Sequence, residues 1–464
     1  MISHFFRTAS RWIFFAALIY APWAYGATTS ASIQITNWIL LAALVLWAVG
    51  LLVGKRMPRF PRLLFFLAVA LVCVGGWMVF NAKSIYDSDF FVFVPLRNFA
   101  PPLPGSVDYT ISAAWIMRGT LLLGSILFVA NLSQSDRWLL RLWYVIGLVG
   151  GSIAILGLLQ KATRAQMIFW QPPPPEDVRV TTLFATYYYH GNAGAFLNLV
   201  WPLTAGLVIR AFTSGSHPWM RAIWTSLFVL TVAAVLANTS RMAQLVALLL
   251  SIAICLQFGP MLVRRLPGTG KSVVLAGALA IIFALIAFAQ ASHFEQSLNR
   301  WQSAGEHIPN DARWQASRMA LSALPDTGFL GFGPGTFRVV FPTYNVVASN
   351  QAPGTWRFLH EDYLQTLLEW GWLGSILWAL LFFGGMIVGI RSCKHARREW
   401  TPRRRVLQPL VVIALMGVAL HAVVDFPIQI ESIQLYVATY LGLCWGSMLW
   451  HERRVSSHSS LLIG

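Results

Sequence analysis

Residues capable of chemistry are sparse in this chain of 464 residues, 11% of them charged, and they gather where long apolar runs are interrupted. Four arginines, Arg179, Arg241, Arg313 and Arg318, fall in or beside those interruptions. A guanidinium stays charged when partly desolvated and can meet two phosphate oxygens at once, so these four are candidates for holding a phosphate or pyrophosphate. His360 opens the run His360-Glu361-Asp362-Tyr363-Leu364-Gln365. An imidazole can take a hydroxyl proton near neutral pH, which makes His360 a candidate general base. Its spacing to Leu364, Leu367 and Leu368 predicts that it lies on a helix over 358–369. Neighbouring helical positions do not face each other, so Glu361 and Asp362 are expected on a solvated face rather than against the ring.

Further polar residues carry weaker signals. Arg118 falls inside the apolar run 112–132, and a charge within a membrane span is a functional candidate by default. Its expected partner is Asp425, which forms an i, i+4 pair with His421 on the run 406–425. A structural bridge and a substrate contact are both open for this trio. Asp87 and Asp89 have the spacing of a divalent-metal pair, but two aspartates in a polar loop read more simply as solvated charges. Gly331, Gly333 and Gly335 are expected to permit tight turns rather than to cradle phosphate. The four cysteines, Cys73, Cys255, Cys393 and Cys444, lie in or beside apolar runs without metal-ligand spacing and are expected reduced.

The elements that must position these groups are set by composition. With 57% hydrophobic residues and 21 Trp, the chain is excluded from the soluble globular class. About twelve stretches are long enough to cross a bilayer, with cores near 11–27, 36–54, 63–82, 112–132, 139–160, 193–212, 219–239, 242–262, 271–291, 371–391, 406–425 and 431–450. The expected fold is all-α, a polytopic membrane protein. The net charge of +17 would suggest a nucleic-acid partner in a soluble protein. Here most of the surplus falls in alternate short connections, such as Lys55, Arg56, Arg59 and Arg62, or Arg403, Arg404 and Arg405. That pattern places both termini in the cytoplasm and removes the nucleic-acid reading. Three outer segments, 83–111, 161–192 and 292–370, are too long to be plain connectors. The expected organisation is nine spans over 1–291, a large helical outer loop over 292–370, three spans over 371–450 and a cytoplasmic tail over 451–464. The outer loop carries a helical pattern at 313–324 and a turn at Pro325-Asp326-Thr327-Gly328.

The run Pro325-Asp326-Thr327-Gly328-Phe329-Leu330-Gly331-Phe332-Gly333-Pro334-Gly335-Thr336-Phe337, the His360 segment and then Glu369-Trp370-Gly371-Trp372-Leu373-Gly374 resemble the O-antigen ligase and polymerase family of bacterial membrane glycosyltransferases. Arg313, Ser240-Arg241, Gly191-Asn192-Ala193 and His421-Ala422-Val423-Val424-Asp425-Phe426 extend the resemblance over roughly 180–445. One departure is Glu361, where the family usually has Asn.

The resemblance implies an inner-membrane enzyme that moves a glycan from undecaprenyl pyrophosphate to a hydroxyl acceptor, either lipid A-core or a growing polysaccharide, on the periplasmic face. It implies inversion at the anomeric carbon and no cofactor or metal. His360 is the implied base. Arg179, Arg241, Arg313 and Arg318 are the implied pyrophosphate ligands, and Arg118, Asn192, His421 and Asp425 are substrate-binding or structural. A transporter is the competing class, but it predicts paired internal repeats and midplane charges, which the sequence does not display. A non-catalytic scaffold in envelope assembly is the third.

Overall fold

A computed structural model describes residues 1–171, 182–265, 301–302, 311–347, 352–395 and 400–451. The long helices are α1 (Ile2–Trp23), α2 (Ser30–Val53), α3 (Arg62–Phe80), α4 (Tyr109–Leu132), α5 (Asp136–Ala162), α6 (His190–Thr213), α7 (Pro218–Ala237) and α8 (Arg241–Arg265). Three short helices follow, α9 (Ala312–Ser322), α10 (Leu324–Thr327) and α11 (Phe337–Val347), and then α12 (Asp362–His395), α13 (Pro402–His421) and α14 (Glu431–Gly446). Among the described residues, nine of these helices are long and apolar enough to cross a membrane. Helices α1 and α14 fall on two further expected spans. The expected span 271–291 lies outside the described residues.

The all-α expectation holds, with one small addition. Segment 83–111 folds back as a two-stranded antiparallel hairpin, Ser84–Asp87 against Val92–Pro95. In its turn the Asp87 carboxylate accepts the backbone N–H groups of Asp89 and Phe90. Asp87 therefore closes a turn, as aspartate commonly does.

Helices dominate because a backbone inside a bilayer must satisfy its own hydrogen bonds. The ends use side chains where they can: Thr29 and Ser32 form a capping box at α2, and Asp108 accepts the Ile111 N–H at α4. Helix α6 is buried nearly all round, packed against α5, α7, α8 and α13, while α4 runs along α14. The described residues between α8 and α12 have a small core of their own, in which Ala316, Met319 and Ala320 of α9 meet Phe337, Phe341, Leu359 and, from α12, Leu368. This seats the short helices on the start of α12.

Candidate active site

His360 does not lie on the helix that its spacing predicts. Helix α12 begins at Asp362, and His360 occupies the left-handed region at φ 61°, a conformation that His, Asn and Asp adopt more often than other residues. The cause is the capping of α12. Glu361 accepts the backbone N–H groups of Tyr363 and Leu364, while the Asp362 N–H donates to the Ala422 carbonyl at 2.9 Å. The buried Asp362 carboxylate takes the Ile428 N–H at 2.9 Å and the Gln429 amide at 2.8 Å. Neither acid therefore lies on a solvated face. Glu361 caps α12 from within and Asp362 pins its head against 422–429, which leaves His360 just outside the helix. Because the N-cap is a position Asn also fills well, Glu361 performs there the task that the usual Asn could.

What His360 meets is Asp425. Its Nδ1 is 2.9 Å from the Asp425 Oδ1. The same oxygen accepts the Phe426 N–H, and the Oδ2 accepts the Tyr189 hydroxyl at 2.9 Å. Tyr189 in turn accepts from Arg313 Nη2 at 2.9 Å. Four residues from four separate stretches of chain thus form one relay, Arg313 to Tyr189 to Asp425 to His360. Aromatic rings confine it: Phe426 stacks on Tyr189 and makes a T-shaped contact with His360, with centroids 5.4 and 4.4 Å apart. Gly191 passes so close that a β-carbon there would meet the Asp425 Oδ2 at 2.4 Å.

The electrostatics follow from this packing. Burial alone would push the Asp425 carboxyl up, but the hydrogen bond with His360 and the adjacent His421 outweigh it and hold the carboxyl well below the usual range. An ionised carboxylate only accepts, so the proton between them sits on His360 Nδ1, which makes Nε2 the acceptor nitrogen of the neutral ring. Burial, followed by the neighbouring Asp425 charge, pushes the Tyr189 hydroxyl up, so it remains protonated. The side chain of His360 is 21% accessible while that of Asp425 is 4%, which leaves the imidazole as the member open to a reactant.

The glycine-rich run is held from the opposite side. Glu369 accepts the N–H groups of Gly335 and Phe337 and the Gln365 amide, and the Phe332 and Gly333 N–H groups donate to the Leu368 and Glu369 carbonyls. These donors are taken up by α12, in agreement with turns rather than a phosphate cradle. Gly371 breaks α12 at φ 61°, ψ −168°, where its backbone closes on Gly331.

Residues 226–379 match the family model described as O-antigen ligase. The chain carries an O-antigen ligase family domain. No curated protein matches the chain. The O-antigen ligase match runs from α7 into α12 and includes Arg241, Arg313, Arg318 and His360, whereas Tyr189 and Asp425 reach the same relay from outside it.

Relative to the O-antigen ligase domain, the other expected site residues are placed unevenly. Arg241 is the first residue of α8 and half-buried. The Asn238 amide just before it donates to the His190 carbonyl at 2.9 Å, so the α7–α8 junction abuts the residue after Tyr189. Arg318 is exposed, five positions beyond Arg313 and so about 140° further round α9. Arg179 lies outside the described residues. Asn192 is buried in the first turn of α6, and its Oδ1 has no hydrogen-bond partner among the described residues.

Two expectations are corrected. Arg118 does not pair with Asp425. It lies 4.0 Å from Glu431 and 3.7 Å over the Trp115 ring, because α14 starts beside α4 while Asp425 is committed to His360 and Tyr189. His421 and Asp425 do not share a helix, since α13 ends at His421; they approach to 3.7 Å across the following turn, beyond a hydrogen bond. Tyr189 and Arg357 were not flagged by the sequence. Tyr189 has no motif to mark it, but Arg357, three residues before His360, was visible as a cation beside the base.

Proposed function

We propose that the protein transfers a glycan from an undecaprenyl pyrophosphate carrier to a hydroxyl acceptor at the periplasmic face of the inner membrane. The observation that carries this reading is the His360–Asp425 contact at 2.9 Å with the imidazole left accessible, in a chain whose residues 226–379, His360 among them, match the O-antigen ligase family model. In the proposed step His360 Nε2 accepts the acceptor's hydroxyl proton. The oxygen attacks the anomeric carbon in line with the departing pyrophosphate, and the configuration inverts. Asp425 holds the ring tautomer and balances the imidazolium, while Tyr189 fixes the second carboxylate oxygen. Arg313 spends one donor on Tyr189 and has further N–H groups for the pyrophosphate. Arg241 and Arg179 are proposed to share that charge, so that guanidinium groups rather than a metal neutralise the leaving group. Arg318 is proposed as a more peripheral contact.

The test is transfer by the purified protein from a lipid-linked glycan, with lipid A-core and a second lipid-linked repeat unit offered separately. Product on the first acceptor marks a ligase and on the second a polymerase. His360→Ala is expected to lower turnover by about 10²–10⁴-fold. Undiminished turnover would remove His360 as the base, and translocation of the lipid-linked glycan without any transfer product would favour the transporter class.

A further inference from the structure

Behind the His360 relay lies a cavity that the transfer step does not use. It occupies about 430 Å³ between α4, α12 and α14, within the range of sites that take small molecules. Most of its wall is apolar, from Leu122 and Ile126 on α4, Trp378 and Phe382 on α12, and Val437 and Leu441 on α14. From Trp115 to Ile126 it extends about 16 Å along α4 at 1.5 Å per residue. The wall residues Trp372, Ile376 and Phe383 are exposed on the outer surface of α12, so the space borders the region where lipid chains lie.

A purely apolar slot would need only packing, but this one contains polar atoms without partners. Arg118 Nη2, Ser375 Oγ and Gln434 Oε1 are each buried, line the cavity and make no hydrogen bond among the described residues. Arg118 as a whole is 6% exposed. Unpaired buried polar atoms cost free energy and mark the place of a missing partner. The three supply donors and an acceptor together. Among the described lining residues Arg118 has the only positive charge, faced at 4.0 Å by Glu431, while Asp362 and Glu369 are also on the wall. Such a wall offers nothing net to a pyrophosphate, but it suits a head group that both gives and accepts hydrogen bonds without charge.

We propose that this cavity binds a membrane lipid with an apolar chain and an uncharged hydroxyl- or amide-bearing head, separately from the pyrophosphate-linked donor. The head engages Arg118, Ser375 and Gln434, and the chain follows the apolar wall toward Leu441. Gly119 lies on the wall, and a β-carbon added there has nothing within 4 Å, so a larger side chain can enter the space without displacing the fold.

The test uses the full chain in lipid nanodiscs and a monoacylglycerol carrying a diazirine on its chain, with cross-linked peptides mapped after irradiation. Adducts are expected on α4, α12 and α14 and are expected to fall at least tenfold in Gly119→Leu. Ser375→Leu, which fills the same space from α12, is a second block. Unlabelled monoacylglycerol should compete, and undecaprenyl pyrophosphate at equal concentration should not. Unchanged labelling in both variants, or adducts spread evenly over every lipid-facing helix, would overturn the site. Stronger competition by the pyrophosphate would overturn the head-group assignment. The inference does not depend on the transfer reading: His360→Ala removes turnover on that reading and should leave the labelling as it is.

Discussion

At the scale of single residues, the relay makes graded predictions. Asp425→Asn leaves a side chain that can turn its amide toward His360 Nδ1 and favour the wrong tautomer, so turnover should fall by about 10²-fold or more with little change in donor KM. Tyr189→Phe removes one hydrogen bond to a carboxylate that keeps its others, and the loss should be nearer tenfold, the equivalent of about 1.4 kcal/mol. A pH dependence belongs to Asp425 as well. Its carboxyl is held below the unfolded value of about 3.9, so its stabilising contribution is complete above that pH and is lost as the pH falls through the lower folded value. The unfolding temperature of the parent should exceed that of Asp425→Asn by a constant margin from pH 5 upward, and the margin should narrow below pH 4. Arg357 gives the last residue-scale prediction. Burial and the like charge of Arg338 lower its pKa, so an anion beside the pair relieves a repulsion, and Arg357→Ala should raise donor KM about tenfold without a matching loss in kcat.

At the scale of elements, the site depends on two helix ends being held together by backbone geometry. Gly371 is in a region open almost only to glycine, and a β-carbon there would meet the Gly331 nitrogen at 2.4 Å. Gly371→Ala should therefore destabilise the folded protein by at least about 1–3 kcal/mol, visible as a lowered unfolding temperature in detergent even before activity is assayed. The long apolar helices were legible in the sequence because bilayer thickness imposes their length; α9 was legible from its periodicity. The start of α12 was not. A spacing of three and four residues placed His360 on the helix, whereas Glu361 capping and the Asp362 bonds to 428–429 begin it two residues later. Arg118 was misassigned for a related reason: the sequence registers a buried charge but not which helix start, Glu431 or the turn at Asp425, packs beside it. Tyr189 was invisible because its role arises only when α6, α9 and the turn after α13 meet.

At the scale of the whole molecule, the two ends of the bundle have different chemistry. One gathers basic connections: the Arg59 N–H donates to Asn131, Arg404 pairs with Asp136 at 2.8 Å, and Gln134 donates to the Gly446 carbonyl. The starts of α5 and α13 therefore lie together with the α2–α3 connection. The other end holds the starts of α4, α6, α8, α12 and α14 and the His360 relay. Basic connections are retained on the cytoplasmic side, so the relay should face the periplasm and both termini the cytoplasm. Met57, in the α2–α3 connection, and Ser88, in the turn of the hairpin, are both exposed and sit at opposite ends. In a background with the four native cysteines replaced, a membrane-impermeant maleimide added to intact spheroplasts should label Ser88→Cys and spare Met57→Cys until the membrane is broken. The reverse pattern would put the relay in the cytoplasm, away from any acceptor on the outer leaflet, and the proposed reaction would have to be abandoned.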